Sequence, residues 1–287
     1  MGCNAPLVGW KSKEKTALGK RAVTFDIHQA CIDLPINIRC GQCYGCQLDK
    51  SREWALRCSH EAQMHEENSF ITLSYSDEHI PRTKNGTPTL RPKDFTLFMK
   101  KLRKRQPGKI KYLMVGEYGE LKSRPHFHSL CFNCSFPDRT YWRTSGEYPI
   151  YRSEKLEKLW EFGNSEIGSV TFESAGYVAR YQIKENTTPA GAVKEYMRMS
   201  RNPAIGKTWL DKYEKDVYPR DEVATYHGPA YKPPRYYDKL YERKNPESFA
   251  RIRTTRNARL TDEMRSGARQ TARERILRAK AQERKGV

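Results

Sequence analysis

The 287-residue sequence is short of several features, and each shortage excludes a class of protein. No apolar run approaches the roughly 20 residues that a membrane-spanning helix requires, so no membrane partner is expected. The opening, "MGCNAPLVGWKSKEK", lacks the apolar core of a secretory signal. Its Gly2 is followed by Pro6 where an N-myristoylation motif wants Ser or Thr. Nothing therefore points outside the cytoplasm. Acidic residues are scarce beside basic ones, 34 Asp and Glu against 53 Lys and Arg, which leaves a formal charge of +19. A chain this basic attracts polyanions, and nucleic acid is the expected partner because counterion release drives such association. Apolar residues are also few, at 37%, yet 17 Tyr, 10 Phe and 5 Trp suffice for a modest core with long polar attachments. Internal repeats and low-complexity blocks are absent. With no secretory signal, the eight cysteines read as metal ligands or free thiols rather than disulfides.

What is present is a succession of strands and helices. "SFITLSYSDEHIP" (69–81) opens as a strand and stops at Pro81. "RPKDFTLFMKKLRKRQP" (91–107) predicts a helix, with Phe95, Phe98, Met99 and Leu102 at three- and four-residue spacing. "KIKYLMVGEYG" (109–119) and "PHFHSLCFN" (125–133) read as strands joined by a polar turn. "SEKLEKLWEFG" (153–163) reads as a helix capped at Ser153, "SEIGSVTFE" (165–173) as a strand, and "GYVARYQIKE" (176–185) as the start of a helix. Upstream, 47–65 reads as helix and the stretch to about residue 39 as irregular. This order predicts an α+β fold in which helices cover a largely antiparallel sheet. Composition divides the chain into a cysteine-rich N-terminal segment and helix (1–66), a core (67–200) and a basic C-terminal extension (201–287) that is helical or partly disordered.

The chemistry concentrates in three places. On a strand, His126 and His128 point to one face with Cα atoms roughly 7 Å apart, while Phe127 points to the other. Two imidazoles so placed can converge on one cation, since neutral His is a common metal ligand. A hairpin brings Glu117 beside them, with Glu120, Asp77 and His79 as alternative third ligands. A carboxylate with two imidazoles suits Mg²⁺ or Mn²⁺ and also accepts Zn²⁺ or Co²⁺. In "GYVARYQIK", Tyr177 and Tyr181 are four apart and share a helix face, with Lys184 near the same side. A phenol ionises near pH 10 and needs a cation or base nearby to act as a nucleophile. Packing of both tyrosines against the sheet is the plainer alternative. Finally, "CGQCYGC" sets Cys40, Cys43 and Cys46 in a spacing that suits structural Zn²⁺. The fourth ligand is Cys3 or Cys31 reaching back from the N-terminus. Cys58 is too far along the following helix, roughly 18 Å from Cys46 at 1.5 Å per residue.

"FITLSYSDEH", "RPHFHSLCF" and "YVARYQIK", in that order, resemble the three motifs of HUH endonucleases, the rolling-circle replication initiators. The chain is most similar to the initiation proteins of small single-stranded DNA phages, the Microviridae, especially the gokushovirus type. "CGQCYGCQLDKSREWALRCSHEA" and "PPRYYDKLYE" share that likeness, so it covers most of the chain. The resemblance implies an HUH/RRM-like sheet and a metal-dependent nickase and strand transferase. His126 and His128 would hold Mg²⁺ or Mn²⁺, and Tyr177 or Tyr181 would attack a DNA phosphate at the viral origin. The products would be a 5′-phosphotyrosine and a free 3′-OH, with Lys184 positioning the tyrosine or phosphate. It also implies action in the cytoplasm of a bacterial host, on single-stranded DNA, alongside a host helicase and single-strand-binding protein. A non-catalytic single-stranded nucleic-acid-binding protein is the alternative from a different class.

Overall fold

The computed structural model describes residues 2–17, 19, 21–119, 122–180, 188–218, 220–225, 228–259, 261, 264 and 266–283. Contacts gather the chain into two compact units, residues 1–50 with 251–287, and residues 51–250. The N-terminal stretch, expected to be irregular, instead forms β1 (Leu7–Lys15), β2 (Arg21–Thr24) and β3 (Ala30–Ile38). They pair antiparallel in the order β2–β1–β3. Interspersed lysines and a register shift after Trp10 obscure the two-residue alternation by which a strand is recognised. Helix α1 (Tyr44–Ala62) follows and begins within the cysteine motif.

Residues 51–250 are built on a seven-stranded sheet. In chain order its elements are β4 (Asn68–Tyr75), α2 (Pro92–Arg105), β5 (Lys111–Tyr118), β6 (Pro125–Phe132), β7 (Thr140–Ser145), β8 (Tyr148–Arg152), α3 (Glu154–Glu157), β9 (Gly163–Gly168), α4 (Phe172–Arg180) and β10 (Tyr196–Met199). The strand order is β10–β5–β6–β4–β9–β8–β7, and the pairings are antiparallel. The α+β class and the two central strands agree with the expectation. The helix expected across 153–163 does not: only Glu154–Glu157 is α-helical. Ser153 does cap it, accepting from Leu156 N at 3.1 Å. Beyond it, Trp160 turns back so that its indole N–H donates to the Ser74 carbonyl at 2.9 Å. Gly163 then takes φ +153°, where a Cβ would meet Ser74 O at 2.5 Å, so only glycine lets β9 come alongside β4.

The sheet is apolar on both faces, as its continuous buried runs require. One face carries Ile71, Leu73, Phe127 and Ile167 against Phe95, Phe98, Met99 and Leu102 of α2, with Trp160 beside them. The other carries Leu113, Val115, Leu130 and Phe132 against Ala55 and Cys58 of α1 and Ala175 and Val178 of α4. Each such large side chain contributes about 1.5–3 kcal/mol when fully buried. Lys111 and Glu61 form a buried ion pair at 2.7 Å that ties α1 to β5. His60 stacks on Trp209 with ring centroids 3.6 Å apart, and its Nδ1 lies 3.0 Å from the Tyr237 hydroxyl. Burial pushes His60 down to about 3 and the Tyr237 phenol up.

Downstream lie α5 (Lys207–Val217), β11 (Val223–Thr225), β12 (Gly228–Tyr231) and α6 (Arg235–Lys244). Helices α7 (Pro246–Ala258) and α8 (Gly267–Glu283) follow, giving the basic extension its helical character. No helix among the described residues is long and apolar enough to cross a membrane.

Candidate active site

The β5–β6 hairpin places its polar residues by register. Glu117 pairs directly with His126, and Val115 with His128, so all three side chains of interest share one face. Across β4, His128 is opposite Thr72 and His126 opposite Ser74. Phe127, of opposite parity, enters the α2 core and locks the strand's rotation.

Glu117 Oε1 lies 3.3 Å from Nε2 of both His126 and His128. The ligand atoms of the three residues all fall within 4.8 Å of one another. His126 Nδ1 donates to the Arg124 carbonyl at 3.0 Å, which in the neutral ring leaves the lone pair on Nε2. Thr72 Oγ1 is 3.0 Å from His128 Nδ1 and fixes the orientation of the second ring. A buried carboxylate oxygen next to an imidazole lone pair is repulsive unless a cation lies between them. The separations suit one: bonds of 2.0–2.2 Å put neighbouring ligands about 2.9–3.5 Å apart. The residues therefore fit a divalent metal.

Helix α4 brings Tyr177 to this group. Its hydroxyl donates to Glu117 Oε1 at 3.5 Å, and its ring meets that of His128 edge-on at 5.3 Å. Tyr177 is 39% exposed, so the phenol is open to an incoming molecule. Tyr181, Lys184 and Glu120 lie outside the described residues. Asp77 pairs with the Arg124 guanidinium, and His79 Nδ1 lies 2.8 Å from the Ser76 hydroxyl; neither joins the group.

A second cluster belongs to residues 1–50 with 251–287. Cys3, Cys40, Cys43 and Cys46 bring their sulfurs within 4.8 Å of one another, with Cys3 completing the set. Cys31 instead donates to the Ser12 carbonyl at 3.6 Å. Four sulfurs about 2.3 Å from a tetrahedral ion lie about 3.8 Å apart. Cys3 Sγ is 3.6 Å from Cys40 Sγ and 3.9 Å from Cys43 Sγ. Backbone N–H groups aim at the sulfurs, Asn4 N at Cys43 Sγ and Cys43 N at Cys40 Sγ, both at 3.2 Å. Burial pushes Cys3 up to about 12. In Cys40 the effect of burial is outweighed by the N–H groups of Cys43 and Gln42 and by neighbouring thiols, which bring it down to about 7. The geometry and the donors fit a Zn²⁺ site.

Sequence reasoning missed the residues that hold these ligands. Thr72 was legible in principle, from the alternation of β4 opposite the histidines. Glu274 was not: from α8 its carboxylate accepts from Asn4 Nδ2 and Tyr44 N, both at 2.8 Å, across more than two hundred residues.

Residues 68–186 match the protein family described as replication-associated protein ORF2/G2P. The chain is 37% identical over 224 residues to the replication-associated protein VP4 of Bdellovibrio phage phiMH2K, covering 73% of this chain and 69% of that protein. It is 35% identical over 227 residues to the replication-associated protein ORF2 of Spiroplasma virus 4, covering 74% and 70%. Against the replication-associated protein ORF4 of Chlamydia phage 1 it is 28% identical over 225 residues, covering 70% and 52%. No solved structure matches. The chain belongs to the phage replication-associated proteins, of the Microviridae type that its motifs resemble.

Proposed function

We propose that this protein initiates rolling-circle replication by nicking one strand at the viral origin, with a tyrosine nucleophile acting beside a divalent metal. One observation carries the reading: the Tyr177 hydroxyl meets a buried carboxylate flanked by two imidazoles, 3.5 Å from Glu117 Oε1. A phenol aimed at a metal-ligand set is of little use for packing and well suited to phosphoryl transfer.

Glu117, His126 and His128 would hold Mg²⁺ or Mn²⁺. Such an ion neutralises charge on a phosphate oxygen and makes the phosphorus more electrophilic. The chain supplies the rest. Thr72 and the Arg124 carbonyl keep both rings turned with Nε2 inward. Tyr177 or Tyr181 gives up its phenolic proton and attacks; the Oη–P bond forms as the bond from phosphorus to the 3′ oxygen breaks. That oxygen takes a proton and leaves as a free 3′-OH, and the 5′-phosphate remains on tyrosine. Attack by an incoming 3′-OH reverses the exchange and joins strands, which is why two phenols in one motif are useful. By resemblance, Lys184 positions the tyrosine or phosphate. The +19 charge supports binding of single-stranded DNA, and a host helicase and single-strand-binding protein would work with the nicked strand in the bacterial cytoplasm. The four cysteines would carry structural Zn²⁺.

The test is incubation of the protein with Mn²⁺ and single-stranded origin DNA, followed by a search for a covalent adduct. The Tyr177→Phe/Tyr181→Phe variant should form none. An adduct that persists in that variant excludes the tyrosine mechanism, and tight binding without cleavage leaves a nucleic-acid-binding protein.

A further inference from the structure

The β7–β8 hairpin stands at one edge of the seven-stranded sheet, and its side chains are unusual for an edge. All six residues of β7 are exposed. Trp142 is 53% exposed and Tyr148 on the partner strand 43%. Edge strands ordinarily carry charge or proline and keep large aromatics inside.

The register shows which way these residues face. Glu166 pairs with Thr72, which pairs with His128, so the three share the face of the candidate active site. Tyr151 pairs with Ile167 on the opposite, α2-covered face. Arg152 and Tyr148 therefore belong to the active-site face, and Arg152 confirms this by donating to Asn164 Oδ1 at 3.3 Å. A bulge between Tyr141 and Arg143 inserts Trp142 as an extra residue. It lets Trp142 and Arg143 serve the same face: Arg143 reaches Glu166 at 2.9 Å, and Trp142 lies 4.6 Å from the Arg152 guanidinium. From β6 to β7 there are four strand steps, about 19 Å at about 4.8 Å each. The side chains between include the polar Thr72, Ser74, Asn164 and Glu166, with the apolar Phe70 and Ile150 alongside them on the same face.

We propose that the β7–β8 hairpin is a base-stacking platform, with Trp142 and Tyr148 holding single-stranded DNA that runs across the sheet from the Glu117–His126–His128 site. The proposal rests on the nicking function above and names where the substrate strand lies. Aromatics interleaved with arginine suit bases and phosphates, and the chain's formal charge of +19 favours a polyanion as the occupant. Arg152 holds the indole from one side and pairs with Glu157 at 3.4 Å, while Glu166 is engaged by Arg143. The platform is continuous with the candidate active site on one sheet face, at a distance of about three to six nucleotides at 3.4 Å or more per base.

The experiment uses the full chain and fluorescent oligothymidylates of graded length, with 5-iodouracil substituted for thymine in a parallel set. Trp142→Ala/Tyr148→Ala should weaken binding of the longer oligonucleotides roughly tenfold, the scale of a lost base–aromatic stack. The shortest should bind unchanged, Trp142→Phe should restore most of the affinity, and photocrosslinks should map to Trp142 or Tyr148. Equal affinity for wild type and the double variant at every length, or crosslinks confined to other peptides, overturns the platform. An unfolded variant is recognised by its circular dichroism, and the crosslink map of the wild type then decides alone. Failure of the nicking function looks different: DNA binds and crosslinks at the hairpin, yet no tyrosine adduct forms on origin DNA.

Discussion

Glu117, His126 and His128 come from two adjacent strands of one hairpin, whereas Cys3, Cys40, Cys43 and Cys46 come from the N-terminus and the start of α1. In the first group the ladder register sets each ligand position, and the opposite-parity residues are buried in a core that does not depend on an ion. The second has no ladder. Its sulfurs are held by a few N–H donors, and Gly45 is needed for close approach, because a Cβ there would meet Gly2 O at 2.7 Å. A sheet pre-organises a site before the metal arrives, while a loop cluster depends on the metal to become a site.

The comparison can be broken from either side. The largest effect is expected from Cys43→Ser, which should abolish zinc binding, worth on the order of 10 kcal/mol in small zinc domains. Elemental analysis and limited proteolysis should show loss of zinc and cleavage within 1–50 and 251–287, with the 51–250 sheet intact. Uniform unfolding would mean that the cluster is not a local staple. Next, His126→Ala should reduce cleavage on the order of 10³-fold or more while zinc content and thermal stability stay unchanged, as fits a ligand set seated on an independent core.

Acid gives a third handle, because His60 belongs to the 51–250 unit. Burial holds it at about 3 rather than the ordinary 6.5, so it is neutral when folded. Stability from this residue is complete above pH 6.5 and declines as the pH falls from there towards 3, by up to about 1.4 kcal/mol per unit. Melts of the wild type and His60→Gln across that window should converge as the pH falls. Parallel curves would assign the acid sensitivity elsewhere.

Thr72→Val removes the hydroxyl beside His128 Nδ1 and keeps the shape. Mn²⁺ affinity measured by calorimetry should drop about 10- to 100-fold, as for other partners of metal-bound histidine. No change in affinity would show that packing alone orients the ring. The smallest effect is expected of Glu274→Gln, which keeps an acceptor oxygen for only one of Asn4 and Tyr44. A loss of about 1 kcal/mol, confined to the unit of 1–50 and 251–287, should appear as faster amide exchange in α8.

Much of the candidate site's geometry was legible because its determinants are short-range. The parity of His126, Phe127 and His128 follows from a strand's two-residue period, and Glu117 sits one hairpin away, so register alone brings it to His126. The β1–β3 sheet was not legible, since Lys11, Lys13 and Lys15 fill the second half of β1 and Asp33 and Pro35 interrupt β3, nor was the end of α3, which Trp160 and Gly163 impose through contacts with β4. The β7–β8 hairpin was not legible for a related reason. Its aromatics are exposed, and a pattern reading looks for buried faces.

By itself the sequence determined the strand and helix periods, the polyanion-binding charge and the ligand types, because these depend on residues a few positions apart and on composition. Only the tertiary structure decided that Cys3 rather than Cys31 completes the thiol set, that Tyr177 reaches Glu117, and that Glu274 braces the cysteine turn. Those choices bring together residues tens to hundreds of positions apart, and such meetings are selected by packing and hydrogen-bond satisfaction over the whole chain, which no local pattern encodes.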